Sequence, residues 1–238
     1  HAALAFFSNF IPRMRWAMAL FPAEGEPLLL ASMSSRDMPA MRTMTWLPQV
    51  KSGWEWRWFD EWVTQLQGSG KIGTIGFDLM TPLLFGSVSK SLANRFELEE
   101  GDDVLEQARR VHRPRELALM REAVATVHVS SQALHAAWQN GVDLERASLA
   151  GERAARSAAA QDVRTLVSRD GWGSLEPYAA RFEDRPKNLF AYLAVKHLGY
   201  WAETFICHGA PAHLRAACHA SLEALMAGLR PGATLSSL

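Results

Sequence analysis

The chain has 238 residues, 48% of them hydrophobic and 21% charged, enough apolar material for one large or two modest domains. Lys plus Arg and Asp plus Glu balance at 25 each, so no net field draws the chain to nucleic acid or to an anionic membrane surface. Its apolar stretches are broken well before the roughly 20 residues a membrane-spanning helix needs, and Cys207 and Cys218 alone cannot make a disulfide framework; both read as reduced hydrophobes, and a cytoplasmic setting follows.

Residues 1–110 read as α/β. The apolar runs 16–20 and 27–31 are split by the turn signal Pro22-Ala-Glu-Gly25, so a hairpin is expected. The aromatic run Trp54, Trp56, Trp58, Phe59, Trp62 reads as an extended segment leading into a helix over 59–66, with Trp58 and Trp62 stacked one turn apart against the sheet. A ligand rim or subunit contact is the alternative for this run. Residues 71–77 form a strand entered through Gly68-Ser-Gly70, a helix over 83–92 follows, and then a short strand over 96–98. The stretch 109–115 is basic, contains Pro114 and is poor in apolar residues, which marks a domain boundary.

From Arg115 the texture becomes helical. Leu117, Met120, Val124, Val127, Ser131, Leu134 and Trp138 alternate spacings of three and four, one continuous face. Gly141 closes this helix and Asp143 caps the next, over 144–160, whose small residues Ala147, Gly151, Ala154 and Ala158 permit close backbone packing. A strand over 162–168 follows. Two more strands over 189–195 and 200–206 are joined by the hairpin signal Lys196-His-Leu-Gly199, and a last helix carries Leu214, Cys218, Leu222, Leu225 and Leu229 on one face. The segment after it, Leu229-Arg-Pro-Gly232-Ala-Thr234-Leu235, repeats the pattern of Trp138 to Leu144, with a Gly stop, a capping residue and a Leu opening the next helix. The order points to a duplicated α+β unit whose second copy is only begun.

Several motifs in this order match a family. Arg113-Pro-Arg-Glu116-Leu-Ala-Leu-Met120-Arg-Glu-Ala123 resembles the start of the catalytic domain in the aminopeptidase P and creatinase family. Gly199-Tyr200-Trp-Ala-Glu203 resembles its Gly-Tyr-x-x-Asp strand, Leu229-Arg-Pro-Gly232 its recurrent Arg-Pro-Gly, and Phe6-Phe-Ser-Asn-Phe10 its Tyr-Leu-Thr-Gly-Phe segment. The resemblance implies an N-terminal creatinase-like (RNase H-like) domain over 1–110, followed over 111–238 by the first half of a pita-bread fold. It also implies a chain clipped at both ends relative to the family.

In metallopeptidases of that family two Asp, a His and two Glu hold two divalent, manganese-like ions, which suits hard oxygen donors. The resemblance sets the first two ligand positions at Tyr192 and Glu203, so Glu203 is the one matching ligand and a neutral phenol stands for the other. Tyr192, Tyr200 and Trp201 are expected to line the pocket. Ile206 and Cys207 replace the family's Arg-Thr, no His stands near Leu175-Glu-Pro-Tyr178, and the other ligands would lie past Leu238. A metal-free branch of the family, typified by creatinase, keeps catalysis open for a longer parent protein, while this segment alone is expected to be inactive. The implied activity is hydrolysis of a C–N bond in an Xaa-Pro peptide or small amide by a full-length homodimer, with a degenerate metal site and no cofactor expected on this segment alone. The alternative is a non-catalytic relative that binds peptides or proteins.

The histidines offer less. His128 and His135 are seven residues apart on one helix, about 10 Å at 1.5 Å per residue, too far to share an ion, and both read as boundary residues. His208 has the opposite strand parity to Glu203, which sends the two to different faces. No phosphate-binding Gly-rich loop, zinc-spaced Cys pair or Gly-x-Ser-x-Gly elbow is present.

Overall fold

The computed structural model describes residues 2–12, 15–92, 95–171, 173–177, 186–234 and 236, so Tyr178, Leu235 and Leu238 lie outside the described residues. The chain forms two compact units, 1–113 and 114–238. No helix among the described residues is long and apolar enough to cross a membrane.

In the first unit, α1 (Ala2–Ser8) precedes the expected hairpin, β1 (Ala17–Leu20) and β2 (Leu28–Ala31), with Leu20 opposite Leu28. Every residue of β2 is buried, because α2 (Met38–Arg42) and β3 (Gln49–Ser52) continue the chain around it. Here β3 pairs parallel to β2, and Met38 and Met41 fill the gap beneath. The helix α3 (Arg57–Gln65) buries Phe59, Trp62 and Val63. The stack is therefore Trp56 on Phe59, centroids 4.8 Å apart, with Phe59 5.8 Å from Trp62, rather than Trp58 on Trp62. Trp58 lies about 100° round the helix from Phe59; its ring instead takes Lys51 Nζ at 4.2 Å and the Arg57 guanidinium at 4.5 Å. The next strand, β4 (Gly70–Thr74), runs parallel to β5 (Phe96–Glu100), with α4 (Pro82–Leu92) between them burying Val88 and Leu92. The unit's last helix is α5 (Asp102–Arg109), with Asp102 and Asp103 in its first turn and Arg109 in its last, a charge order that favours its dipole.

The second unit opens with α6 (Pro114–Gln139) and α7 (Leu144–Ser157). Between them Gly141 takes φ 86°, and the Asp143 carboxylate accepts the Arg146 N–H at 2.7 Å, closing one helix and capping the other as expected. Gly232 adopts the same left-handed conformation, φ 89°, after the last helix. The buried face of α6 differs from the expected one in its first half: Ala123, Thr126, Val127, Ser130, Leu134 and Trp138 are buried, while Leu117 and Val124 are 39% and 59% exposed. A strict seven-residue pattern drifts by about 20° per heptad on a straight helix, so a stripe phased on Leu134 and Trp138 rotates outward toward the start of α6, where Val124 and Leu117 stand two and three heptads before Trp138. The small residues that replace it let α7 approach. Ser130 Oγ donates to the Gly151 carbonyl at 2.9 Å, and a Cβ on Gly151 would meet Leu134 Cβ at 3.0 Å.

Next come β6 (Asp162–Val167), β7 (Glu176–Pro177), β8 (Leu189–His197) and β9 (Tyr200–His208), an antiparallel sheet in the order β7-β6-β8-β9. The hairpin turn between β8 and β9 is two residues, Leu198 (φ 43°) and Gly199 (φ 92°), both left-handed as a type I′ turn requires. One face of the sheet, with Val163, Val167, Leu189, Ala191, Leu193, Val195 and Ala202, packs against α6 and α7 as the unit's core. Last, α8 (Ala212–Gly228) carries four of the five predicted residues, Leu229 following as its C-cap, and buries none of its residues: Leu222 and Leu225 are 57% and 40% exposed, and Met226 beside them 62%.

Candidate functional site

Strand alternation decides which side chains meet. Arg164, Leu166, Phe190, Tyr192, Ala194, Lys196, Trp201, Glu203, Phe205 and Cys207 occupy the face of the sheet away from α6 and α7. In register, Tyr192 stands opposite Phe205, and Ala194 opposite Glu203, so Tyr192 and Glu203 are diagonal neighbours across β8 and β9. Phe205 joins Tyr192 to Phe190, with ring centroids 5.3 Å and 5.9 Å away. On the other side Arg164 lies 4.6 Å from the Trp201 ring and Lys196 6.0 Å from it. The face is thus an aromatic strip flanked by the cations Arg164 and Lys196, with the Glu203 carboxylate beside Tyr192.

Burial pushes the Tyr192 phenol above its ordinary range, a hydrogen bond to Glu203 and its negative charge push it further, and Arg164 opposes both. Tyr192 is therefore a neutral hydrogen-bonding hydroxyl under ordinary conditions. This decides the fit of the implied metals. A neutral phenol beside a single carboxylate neutralises no pair of divalent cations. The next carboxylate on this face, Asp162, is on β6, with β8 between it and β9, so the backbones of β6 and β9 lie about 9–10 Å apart. Among the described residues no group of three or more His, Cys, Asp or Glu side chains can hold an ion. The residues present do not fit a two-metal centre.

Tyr200 is not with the others. It has the parity of Ala202, faces the helices, and its hydroxyl donates to Glu116 Oε1 on α6 at 2.8 Å. Directly across the hairpin from Tyr200, His197 Nε2 meets Glu122 Oε2 at 3.0 Å. Two carboxylates of α6 thus fasten the tip of the hairpin, a structural role that counting motif positions did not distinguish from pocket lining; parity alone would have separated Tyr200 from Trp201. Trp201 and Glu203, with Ala202 and Thr204, also border a cleft of about 340 Å³ along β9, whose other wall is Met120, Val124, Val127, His128 and Ser131 of α6. Val124, one of the outward-rotated residues of α6, lines this cleft. In the first unit a separate acidic cleft is bordered by Asp78, Glu100, Asp102 and Glu106 with Arg109 and His112. Asp102 there is spent on the Gly76 N–H at 3.0 Å.

This architecture has known counterparts. The fold is similar to that of an X-Pro aminopeptidase from Thermotoga maritima, with a TM-score of 0.72 and 18% identity over 96% of this chain and 64% of that one. A prolidase from Pyrococcus horikoshii matches with a TM-score of 0.69 and 14% identity, over 95% of this chain and 64% of that one. A His350Ala form of Escherichia coli aminopeptidase P also matches at 0.69 and 14% identity, over 97% of this chain and 59% of that one. The chain therefore spans under two thirds of the length of the solved structures it resembles, and at these identities the likeness is one of fold. No protein-family model and no curated protein matches the chain. The resemblance carried by Arg113–Ala123 and Gly199–Glu203 is matched by three-dimensional likeness to the same class of peptidases.

Proposed function

We propose that this chain supplies a creatinase-like, RNase H-like domain (1–110) and the first half of a pita-bread fold (111–238) to a hydrolase that cleaves a C–N bond in a peptide or small amide. The fold likeness to Xaa-Pro peptidases across 96% of the chain carries the reading. On this view the strip formed by Phe190, Tyr192 and Phe205 faces the substrate, its aromatic faces suiting an apolar or proline-like ring. Glu203 is the group able to accept a proton or grip a cation, and Tyr192 donates a hydrogen bond from a hydroxyl that stays protonated. The working protein is a homodimer in a reducing, cytoplasmic setting, in keeping with the free thiols of Cys207 and Cys218. Tyr192 at a ligand position favours a second reading, a non-catalytic relative that holds peptides or proteins on the same strip.

One assay separates the two. The full-length protein that carries this chain is incubated with Xaa-Pro dipeptides and small amides, with and without manganese, beside its Glu203→Gln variant. Turnover lost in Glu203→Gln supports the hydrolase. Saturable peptide binding without turnover, weakened in Tyr192→Ala, supports the binding protein. Neither turnover nor binding overturns both.

A further inference from the structure

The fold brings together two side chains that strand and helix patterns keep apart. His135 is half-buried on α6, and His208 ends the helix-facing row of β9, two steps beyond Ile206. His135 Nε2 lies 3.2 Å from His208 Nδ1, with ring centroids 5.2 Å apart and planes inclined by 53°. Two imidazoles on one tetrahedral ion, at metal–nitrogen distances of about 2.0–2.1 Å, place their donor nitrogens about 3.3 Å apart and their ring centres about 5.2 Å apart. The pair already has those separations. His128 is no third member, its Nε2 being 2.9 Å from Gln132 Nε2 a helical turn away from the pair.

We propose that His135 and His208 form a two-imidazole site for a borderline divalent transition ion such as Zn²⁺ or Ni²⁺, completed by water, that clasps α6 to the end of β9. Imidazole nitrogen is the donor such ions prefer, whereas hard ions such as Mg²⁺ or Ca²⁺ prefer oxygen, so the site discriminates between the two classes. Without metal the two rings share one hydrogen bond, one nitrogen donating and the other accepting. The ion replaces that proton and lies off the line between the two nitrogens, so the rings tilt to aim both lone pairs at it while their separation is kept. The site is independent of the Tyr192–Glu203 strip, since His208 and Glu203 occupy opposite faces of β9.

The test titrates Zn²⁺ or Ni²⁺ alone into the full chain by calorimetry and follows thermal unfolding in parallel. The chain is expected to bind one equivalent that raises its unfolding temperature. His135→Gln and His208→Gln should each weaken that equivalent about 100-fold, because each removes one arm of a chelate. The metal-free unfolding temperatures of both variants should stay close to that of the parent. His219→Ala, which removes the exposed His219–Glu223 pair on α8 as a competing site, should leave the equivalent in place. Absence of a saturable equivalent, or an equivalent kept by both Gln variants, overturns the proposal. So does loss of the equivalent in His219→Ala alone.

Discussion

Replacing Gly151 by Ala sets two known effects against each other on one helix. Ala is favoured over Gly in a helix interior by about 1 kcal/mol. The new methyl, however, would lie 3.0 Å from Leu134 Cβ and 3.1 Å from the Ser130 carbonyl, where carbon contacts settle at about 3.5–4.0 Å. Leu134 and Ser130 are both 0% exposed, so neither swings aside, and α6 and α7 must part by several tenths of an ångström. Overpacking of this kind costs about 1–3 kcal/mol. Lengthening the 2.9 Å bond from Ser130 Oγ to the Gly151 carbonyl costs about 1 kcal/mol more. Net destabilisation is therefore about 1–3 kcal/mol. Urea unfolding of the second unit should show a lower midpoint at unchanged slope. Gly86, inside α4, is the internal control, because a methyl placed there would have no neighbour within 4 Å: Gly86→Ala should stabilise the first unit by about 1 kcal/mol. If Gly151→Ala stabilises its unit as Gly86→Ala does, the close helix contact is refuted.

Two other backbone positions give the opposite sign. Ala159 takes φ 66° just past α7, where Ala160 N–H reaches back to the Ala155 carbonyl at 3.0 Å; Ala159→Gly should raise the urea midpoint, by about 1 kcal/mol of stability. Leu198, 54% exposed at φ 43°, occupies a turn position that Asn fills with less strain, so Leu198→Asn should stabilise the β8–β9 hairpin by about 0.5–1 kcal/mol, read as slower amide exchange across the hairpin. Phenolate absorbance during alkaline titration should show Tyr192 ionising later than an ordinary tyrosine, assigned by difference from Tyr192→Phe, and Glu203→Gln should bring it back down. The sign follows from linkage: the folded chain holds this proton more tightly, so the contribution is fully present below the ordinary tyrosine value near pH 10 and is lost as pH rises through the folded value.

Much of the second unit is legible in its residues, because local rules govern it. Gly141 and Asp143 fix the α6–α7 corner, and Leu198-Gly199 fixes the hairpin, each through chemistry confined to a few residues. The phase of α6 is not local. Whether Val124 or Ala123 faces inward depends on where α7 lies, and on the small residues Ser130 and Gly151 that let it come close, which an apolar-periodicity count ignores. In the first unit β3 is missed because Val50 is its one strongly apolar residue, and its strand state comes from pairing to β2. The candidate strip follows the same division. Strand parity correctly separates His208 from Glu203, but the contact of Tyr200 with Glu116 and of His135 with His208 joins elements 84 and 73 residues apart in sequence. No spacing rule reaches that far.

The bare helix α8 has a thermodynamic consequence. A helix of 17 residues is only marginally stable in water on its own, and none of these residues draws on a core. Its amides should exchange with solvent long before those of α6, as a separate low-energy opening. Any surface that came to cover Leu222, Leu225 and Met226 would have to fold the helix as it bound, so part of its contact energy would be consumed in ordering and its grip would stay readily reversible.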